Sequence, residues 1–246
     1  MVPGTARAHG LQAARHRFSL PSLKRPRWRR SVLFALLAKD TVPVSVPSHP
    51  VLSHPPLSPE QRHAMDLLLT RHSPWPLVEP APDAAALDLV FAAALRAPDH
   101  GQLRPWRFVL VRGDARLALG QVFARAARAR DPYDDGERFR AKAVAAPLLV
   151  ALVAQVKAPH KVPESEQVLA AGAAVMNMLN ALHILGYGGF WATGVNAYDD
   201  NVKAALGLGA GDRLLGFLYM GTPKDRLQPP ERQDAAGFVR EWVPQS

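Results

Sequence analysis

Apolar residues follow a helical period in some stretches and form short continuous runs in others, and the alternation between the two maps the elements. Ser58-Pro59-Glu60-Gln61 supplies a capping hydroxyl, a proline at the first helical position and a glutamine three residues after the cap. The helix it opens carries Met65, Leu67, Leu68 and Leu69 and is expected to stop near Arg71, because Ser73-Pro74 cannot continue it. A second helix is expected from Asp83 through Leu87, Val90, Phe91 and Leu95, ended by Pro98. Residues 107–111 read as a short strand of β-branched and aromatic residues, and 148–156 as a longer, buried one. Helices are expected between them, over 114–130 and 134–145. From 164 to 185 the apolar residues, among them Val168, Leu169, Val175, Met176, Met178, Leu179, Leu182 and Leu185, cover most of the helix circumference, which predicts a largely buried helix. After Gly186 come a strand near 190–193, a short helix over 199–206 and a last strand over 214–220. Two helices followed by strands separated by helices argue an α+β domain with one central sheet and no internal repeat.

Residues 1–57 carry no such pattern. The basic cluster Lys24-Arg25-Pro26-Arg27-Trp28-Arg29-Arg30 is followed by a Pro/Ser/His-rich stretch over 43–56, too rich in proline for a helix or a central strand. The expected organisation is therefore a disordered extension over 1–57 and one folded domain over 58–246. Two other readings of the extension stand: an upstream start codon with Met65 as the functional start, or a weak targeting segment built on the apolar run 32–38, after which no small-x-small cleavage site follows.

Charge sharpens that division. The chain of 246 residues has a formal net charge of +9, but residues 1–64 hold 10 Lys+Arg against 2 Asp+Glu, leaving 20 against 19 for the other 182. A polyanion-binding domain concentrates its charge on the folded surface, so no nucleic-acid partner is expected for the domain; binding of nucleic acid or acidic lipid by the extension is a separate reading. With no Cys in the chain, disulfides, thiolate zinc sites, thiolate nucleophiles and iron–sulfur ligation are excluded. Redox chemistry would need an organic cofactor or a non-thiolate metal site, and no apolar run reaches the roughly 18 residues of a membrane span.

Three stretches could carry chemistry. Arg71-His72-Ser73 gathers a cation, a ring donor and a hydroxyl at a helix end, where basic residues are also favoured simply by the helix dipole. Between a helix and a strand, Arg96-Ala97-Pro98-Asp99-His100-Gly101-Gln102-Leu103-Arg104-Pro105-Trp106 reads either as a functional loop or as a polar connection anchored by Pro105-Trp106. Gly186-Tyr187-Gly188-Gly189-Phe190-Trp191-Ala192-Thr193-Gly194 sets glycines around an aromatic segment, suited to a tight turn or to a flat ligand lying on the backbone. It has neither the Gly-Lys-Ser/Thr of a P-loop nor the spacing of a dinucleotide fingerprint.

In this order and at these separations the three stretches, with Glu79-Pro80-Ala81-Pro82, His160-Lys161-Val162-Pro163 and Gly216-Phe217-Leu218-Tyr219-Met220-Gly221-Thr222-Pro223, resemble the compact bacterial branch of the FMN-dependent nitroreductase family. The resemblance covers essentially all of 65–246. It implies a three-layer α+β fold with a central mixed sheet flanked by helices, assembled as a homodimer with two FMN sites built from both subunits. By position it implies that Arg71, His72 and Ser73 hold the FMN phosphate and ribityl chain, that Arg96 and His100 reach the flavin from the partner subunit, and that Trp191, Ala192 and Thr193 complete the pocket over the ring. His72 stands where relatives commonly have a second Arg, Arg104 where many have Gln, and Ala192 where they have polar residues; Lys224 and Arg226 could add phosphate charge or lie in a solvated turn. The implied activity is that of a cytoplasmic oxidoreductase passing hydride from NAD(P)H through FMN to a nitroaromatic, quinone or similar small-molecule acceptor. No side chain is expected to act as nucleophile or base, and no metal or membrane is expected. The alternative is a flavin-binding storage or sensing dimer without turnover. His100 is read as a flavin-tuning or a structural histidine, and His183 as core or interface.

Overall fold

The structure is a computed structural model that describes residues 56–225, 229, 231 and 235–244. The expectations for 1–55 and for Arg226 therefore lie outside the described residues.

Helix α1 (Pro59–Thr70) starts on the expected capping box: Gln61 N donates to Ser58 Oγ over 3.3 Å, and Ser58 N donates to Gln61 Oε1 over 2.9 Å. The two-residue strand β1 (Leu77–Val78) follows, then α2 (Ala84–Ala94), whose Ala86 N donates to the Asp83 carboxylate over 2.8 Å. The chain continues through β2 (Trp106–Arg112), α3 (Asp114–Arg130), α4 (Glu137–Ala143), β3 (Leu148–Gln155), α5 (Glu164–Ile184), β4 (Gly188–Ala192), α6 (Asp200–Ala205) and β5 (Asp212–Pro223), with 3-10 turns at His100–Gln102 and Val195–Tyr198.

Strand β5 is the hub of the sheet, pairing with β1, β3 and β4, while β2 pairs with β3. Every pairing among the described residues is antiparallel, which corrects the mixed sheet expected from the sequence. The reason is topological. Helix α5 returns the chain so that β4 runs in the direction of β3, but β5 inserts between them, so the two like-directed strands never become neighbours.

Side chains alternate across this sheet. Leu148, Val150, Leu152 and Ala154 of β3, with Leu218 and Met220 of β5, pack against α2 and α5; Leu149, Ala151 and Val153, with Leu214, Phe217 and Tyr219, pack against Phe123, Phe139 and Val202 of α3, α4 and α6. The result is three layers, helix on sheet on helix. A bulge explains how Leu214 and Phe217, three residues apart, share a face: Leu152 pairs with Gly216 and Val153 with Leu214, leaving Leu215 extra. Gly216 takes φ +124 there, and a Cβ on it would fall 2.5 Å from Ala192 O.

Helix α5 is buried along one stripe, Gln167, Ala170, Ala171, Ala174, Val175, Met178, Leu179 and Leu182, whereas Leu169, Met176 and Ile184 are exposed. This corrects the expectation of a largely buried helix: within one chain only one face is covered. Gln167, 2% exposed, ties α5 to the preceding loop by accepting from Lys157 N and donating to the carbonyls of Lys157 and Val162 at 2.9, 3.1 and 3.0 Å. By length and hydropathy α5 could cross a membrane, yet its buried stripe lies on a strand layer and its Asn177 Nδ2 donates to Ala93 O of α2 over 3.1 Å.

Candidate active site

Arg71 caps α1, and His72 follows with Nδ1 3.1 Å from Thr70 O. His183, near the end of α5, reaches the same place: its Nε2 lies 3.1 Å from Thr70 Oγ1, and its ring meets that of His72 edge-on at 6.1 Å. Burial first, then the neighbouring His72 and Arg71, holds the His183 imidazole below its ordinary pKa. His72 and His183 thus line a cavity with Tyr187, Thr222 and Asp225, and Arg71 lies near enough for its charge to act on His183.

The loop from Arg96 to Pro105 is held by one carboxylate. Asp99 accepts from Leu103 N over 3.1 Å and from Arg104 N over 2.6 Å. These bonds offset two unfavourable backbone conformations, Gln102 at φ 53 and Arg104 at φ 50. His100 is exposed, its Nδ1 2.7 Å from Glu166 Oε2 in the first turn of α5, and Arg96 is exposed at the end of α2. From Glu166 to His183 is 17 helical residues, about 26 Å at the α-helical rise. One chain therefore separates Arg71 and His72 from His100 by the length of α5.

Strand β4 divides its own expected residues. Trp191 and Thr193 border a groove with Glu164, Val168 and Arg213, and both side chains donate to Leu215 O, the carbonyl released by the bulge, over 3.0 and 3.3 Å. Ala192 and Phe190 point to the opposite face. There, with Thr193 and Gly194, they border a cavity of about 290 Å³ walled by Trp75, Phe139, Phe217 and Tyr219, with Lys142 and Asn196 as further polar groups. Trp75 packs on Phe190 at 5.3 Å and edge-on to Tyr219 at 5.7 Å. Burial pushes the Tyr219 hydroxyl up to about 12, so it stays a proton donor at neutral pH. Gly194, at φ 62 and ψ 174, turns the strand into the 3-10 turn through a region open almost only to glycine, with no atom within 4 Å of where a Cβ would stand.

The third stretch reaches this cavity through Ala192, Thr193 and Gly194, whereas Arg71, His72 and Ser73 do not line it; the nearest residue in sequence that does is Trp75, two beyond Ser73. The second does not reach it within one chain. Sequence reasoning missed Trp75, Lys142, Asn196 and Tyr219. Period-2 alternation in β5 could have put Tyr219 beside Phe217, and Trp75 stands out between two prolines. Lys142 resembles any solvated helix cation, and nothing marks Asn196.

The aromatic-walled cavity lies on the α3/α4 face of the helix–sheet–helix sandwich, and the cavity beside His72 and His183 shares no lining residue with it. The chain belongs to the nitroreductase family, whose sequence model matches residues 69–222. It is 38% identical over 162 residues to the "Putative NAD(P)H nitroreductase YdjA" of Escherichia coli strain K12, an alignment covering 65% of this chain and 88% of that protein. Among solved structures, the nitroreductase-like family protein from Bacillus cereus superposes with a TM-score of 0.65 at 19% identity, covering 74% of this chain and 96% of that one. A nitroreductase with bound FMN from Bacteroides fragilis superposes with a TM-score of 0.57 at 20% identity, over 73% and 98% of the two chains.

Proposed function

We propose that the chain is an FMN-dependent, NAD(P)H-oxidising reductase of small oxidised acceptors such as nitroaromatics or quinones, acting as a homodimer in the cytoplasm. The observation that carries this reading is the convergence of Trp75, Ala192, Thr193 and Lys142 on one aromatic-walled cavity. The residues present fit a flavin. Aromatic walls suit a flat ring system, the open space at Gly194 leaves room for backbone approach, and the cluster of Arg71, His72 and His183 offers donors to a phosphate. Ser73, exposed beside that cluster, suits the ribityl hydroxyls. Bound FMN would supply two-electron transfer between NAD(P)H and the acceptor.

The chain's own residues then have the tasks of holding, orienting and excluding water. Trp75, Phe190 and Tyr219 form a rigid wall on one side; Lys142, held 4.9 Å over the Phe139 ring, brings a cation to the cavity rim. The Arg96–His100 loop, tied to Glu166, stands about 26 Å along α5 from the phosphate cluster, so its contact with a flavin requires a second copy. Exposed Leu169, Met176 and Ile184 of α5, with Met65, Leu68 and Leu69 of α1, supply the apolar surface for that pairing. The reading assigns Arg71, His72 and Ser73 to the phosphate and ribityl chain, Ala192 and Thr193 to the ring, Trp191 to fixing the strand end through Leu215, and Arg96 and His100 to the partner's site. The domain is taken as 58–246, with 1–57 dispensable for folding and flavin binding.

The test pairs two ligands. Arg71→Ala should weaken FMN binding at least about tenfold, since charge-assisted hydrogen bonds contribute roughly 1.5–3 kcal/mol each, and leave riboflavin, which lacks the phosphate, nearly unchanged. An equal loss for both would move the phosphate elsewhere. Steady-state NAD(P)H oxidation with an acceptor separates a reductase from a flavin-storage dimer.

A further inference from the structure

Asn196 is a buried polar side chain, 5% exposed, that borders the aromatic cavity from the 3-10 turn after β4. Its Oδ1 accepts from Arg130 Nη2 over 3.0 Å. A guanidinium has donors only, so the amide is fixed with its oxygen toward Arg130 and its NH2 on the other branch. Nδ2 makes no hydrogen bond among the described residues. Arg130 is itself held: Nη1 pairs with the Asp199 carboxylate, 7% exposed, which also caps α6 by accepting from Asn201 N and Val202 N at 3.0 and 3.3 Å. The same guanidinium lies 5.3 Å from the centre of the Phe139 ring, another cavity wall. An ion pair between the partly exposed Arg130 and the buried Asp199 carboxylate thus sets the orientation of one amide at the cavity edge.

Nδ2 is not among the buried unpartnered side-chain atoms, so on a side chain that borders the cavity it is a donor open to an acceptor on a ligand there. We propose that Asn196 reads a hydrogen-bond acceptor, a carbonyl oxygen or an unprotonated ring nitrogen, on the flat ligand of this cavity, and that Arg130, locked by Asp199, is the positioning residue that presents the NH2 rather than the oxygen. The proposal rests on the flavin reading above. It makes the cavity selective for heteroaromatic rings with an acceptor on that edge over hydrocarbon rings of the same shape.

The test uses the full chain with FMN and riboflavin as probes, by equilibrium titration and by anaerobic measurement of the flavin midpoint potential. Asn196→Asp is nearly isosteric and keeps an oxygen for Arg130, but turns the donor into a second oxygen. It should weaken FMN and riboflavin alike by at least about tenfold, because the contact is to the ring, and shift the potential of bound flavin to more negative values. If that variant does not fold, Asn196→Ala should weaken both ligands in the same direction by a smaller factor. Arg130→Met should weaken both about threefold or more and move the potential the same way, with Arg130→Lys recovering part of each. Riboflavin affinity within twofold of wild type in Asn196→Asp, with an unchanged potential, overturns the proposal alone. A wild-type chain that takes up no flavin overturns both this proposal and the reading it rests on.

Discussion

The two faces of the sheet are built from the same strands and filled differently. Toward α2 and α5 the space is closed mainly by Leu, Val, Met and many Ala residues, joined by Trp106 and the partly buried Phe91 and Phe108, with Val90, Ala174, Met178, Leu182 and Met220 all at 0% exposure. Toward α3 and α4 it is lined by Phe123, Phe139, Phe190, Phe217 and Tyr219. Small and flexible side chains on two helices can interdigitate to interior density. Rigid rings covered partly by a 3-10 turn at Val195–Tyr198 cannot, and the gap they leave is the cavity. One face is closed and stabilises the domain, and the other leaves the cavity to which the proposed function assigns the flavin; on that reading substitutions that damage one role should spare the other.

The largest effect on stability is expected at Met178, fully buried under the sheet. Met178→Ala should lower unfolding free energy by about 2–5 kcal/mol, read by chemical denaturation, while flavin affinity of the folded fraction stays near wild type. Next comes Gly189, whose added Cβ would lie 2.8 Å from Leu179 Cδ2 and 2.9 Å from Leu182 Cδ1. Overpacking by Gly189→Ala should cost about 1–3 kcal/mol. The cavity face should show the reverse balance. Trp75 is 41% exposed, so Trp75→Ala should cost only about 1–2 kcal/mol for its two ring contacts, yet weaken flavin at least about tenfold. If Trp75→Ala destabilises as much as Met178→Ala and binds flavin normally, the division between the faces is wrong.

The smallest effect concerns pH. His183 is depressed below its ordinary value in the folded chain, so the unfolded chain binds more protons wherever pH lies between the two values, and stability there rises with pH. Its contribution is fully present above the unfolded value near 6.5 and fades as pH falls below it. His183→Gln should flatten the decline in stability seen by thermal melts on acidification below about pH 6.5. A bound phosphate would oppose the depression, so FMN should flatten it too.

The helices and long strands were legible because each carries a local signal: the Ser58 capping box, the Asp83 cap, the apolar run of β3. Strand β1 was not, since two residues have no period and Leu77–Val78 is a strand only because β5 runs beside it. The mixed sheet was misjudged because insertion of β5 between β3 and β4 is a non-local event that no segment records. Among the residues the proposed function uses, Arg71 and Ala192 were visible through ordered motifs, but Lys142 and Asn196 border the cavity only because of where α4 and the turn after β4 are carried. The ion pair Arg130–Asp199 joins residues 69 positions apart, a separation that neither local pattern foreshadows.

The central claim is that the cavity between β4 and α3/α4 holds the ring of one flavin per chain. Titration of the purified chain with FMN, followed by quenching of flavin fluorescence, tests it directly when repeated on Ala192→Leu, which places a branched side chain in the cavity. The expected result is saturation near one FMN per chain for wild type and at least about tenfold weaker binding in a folded Ala192→Leu variant. Absence of saturable binding by wild type, or equal affinity in the two proteins, would contradict the claim.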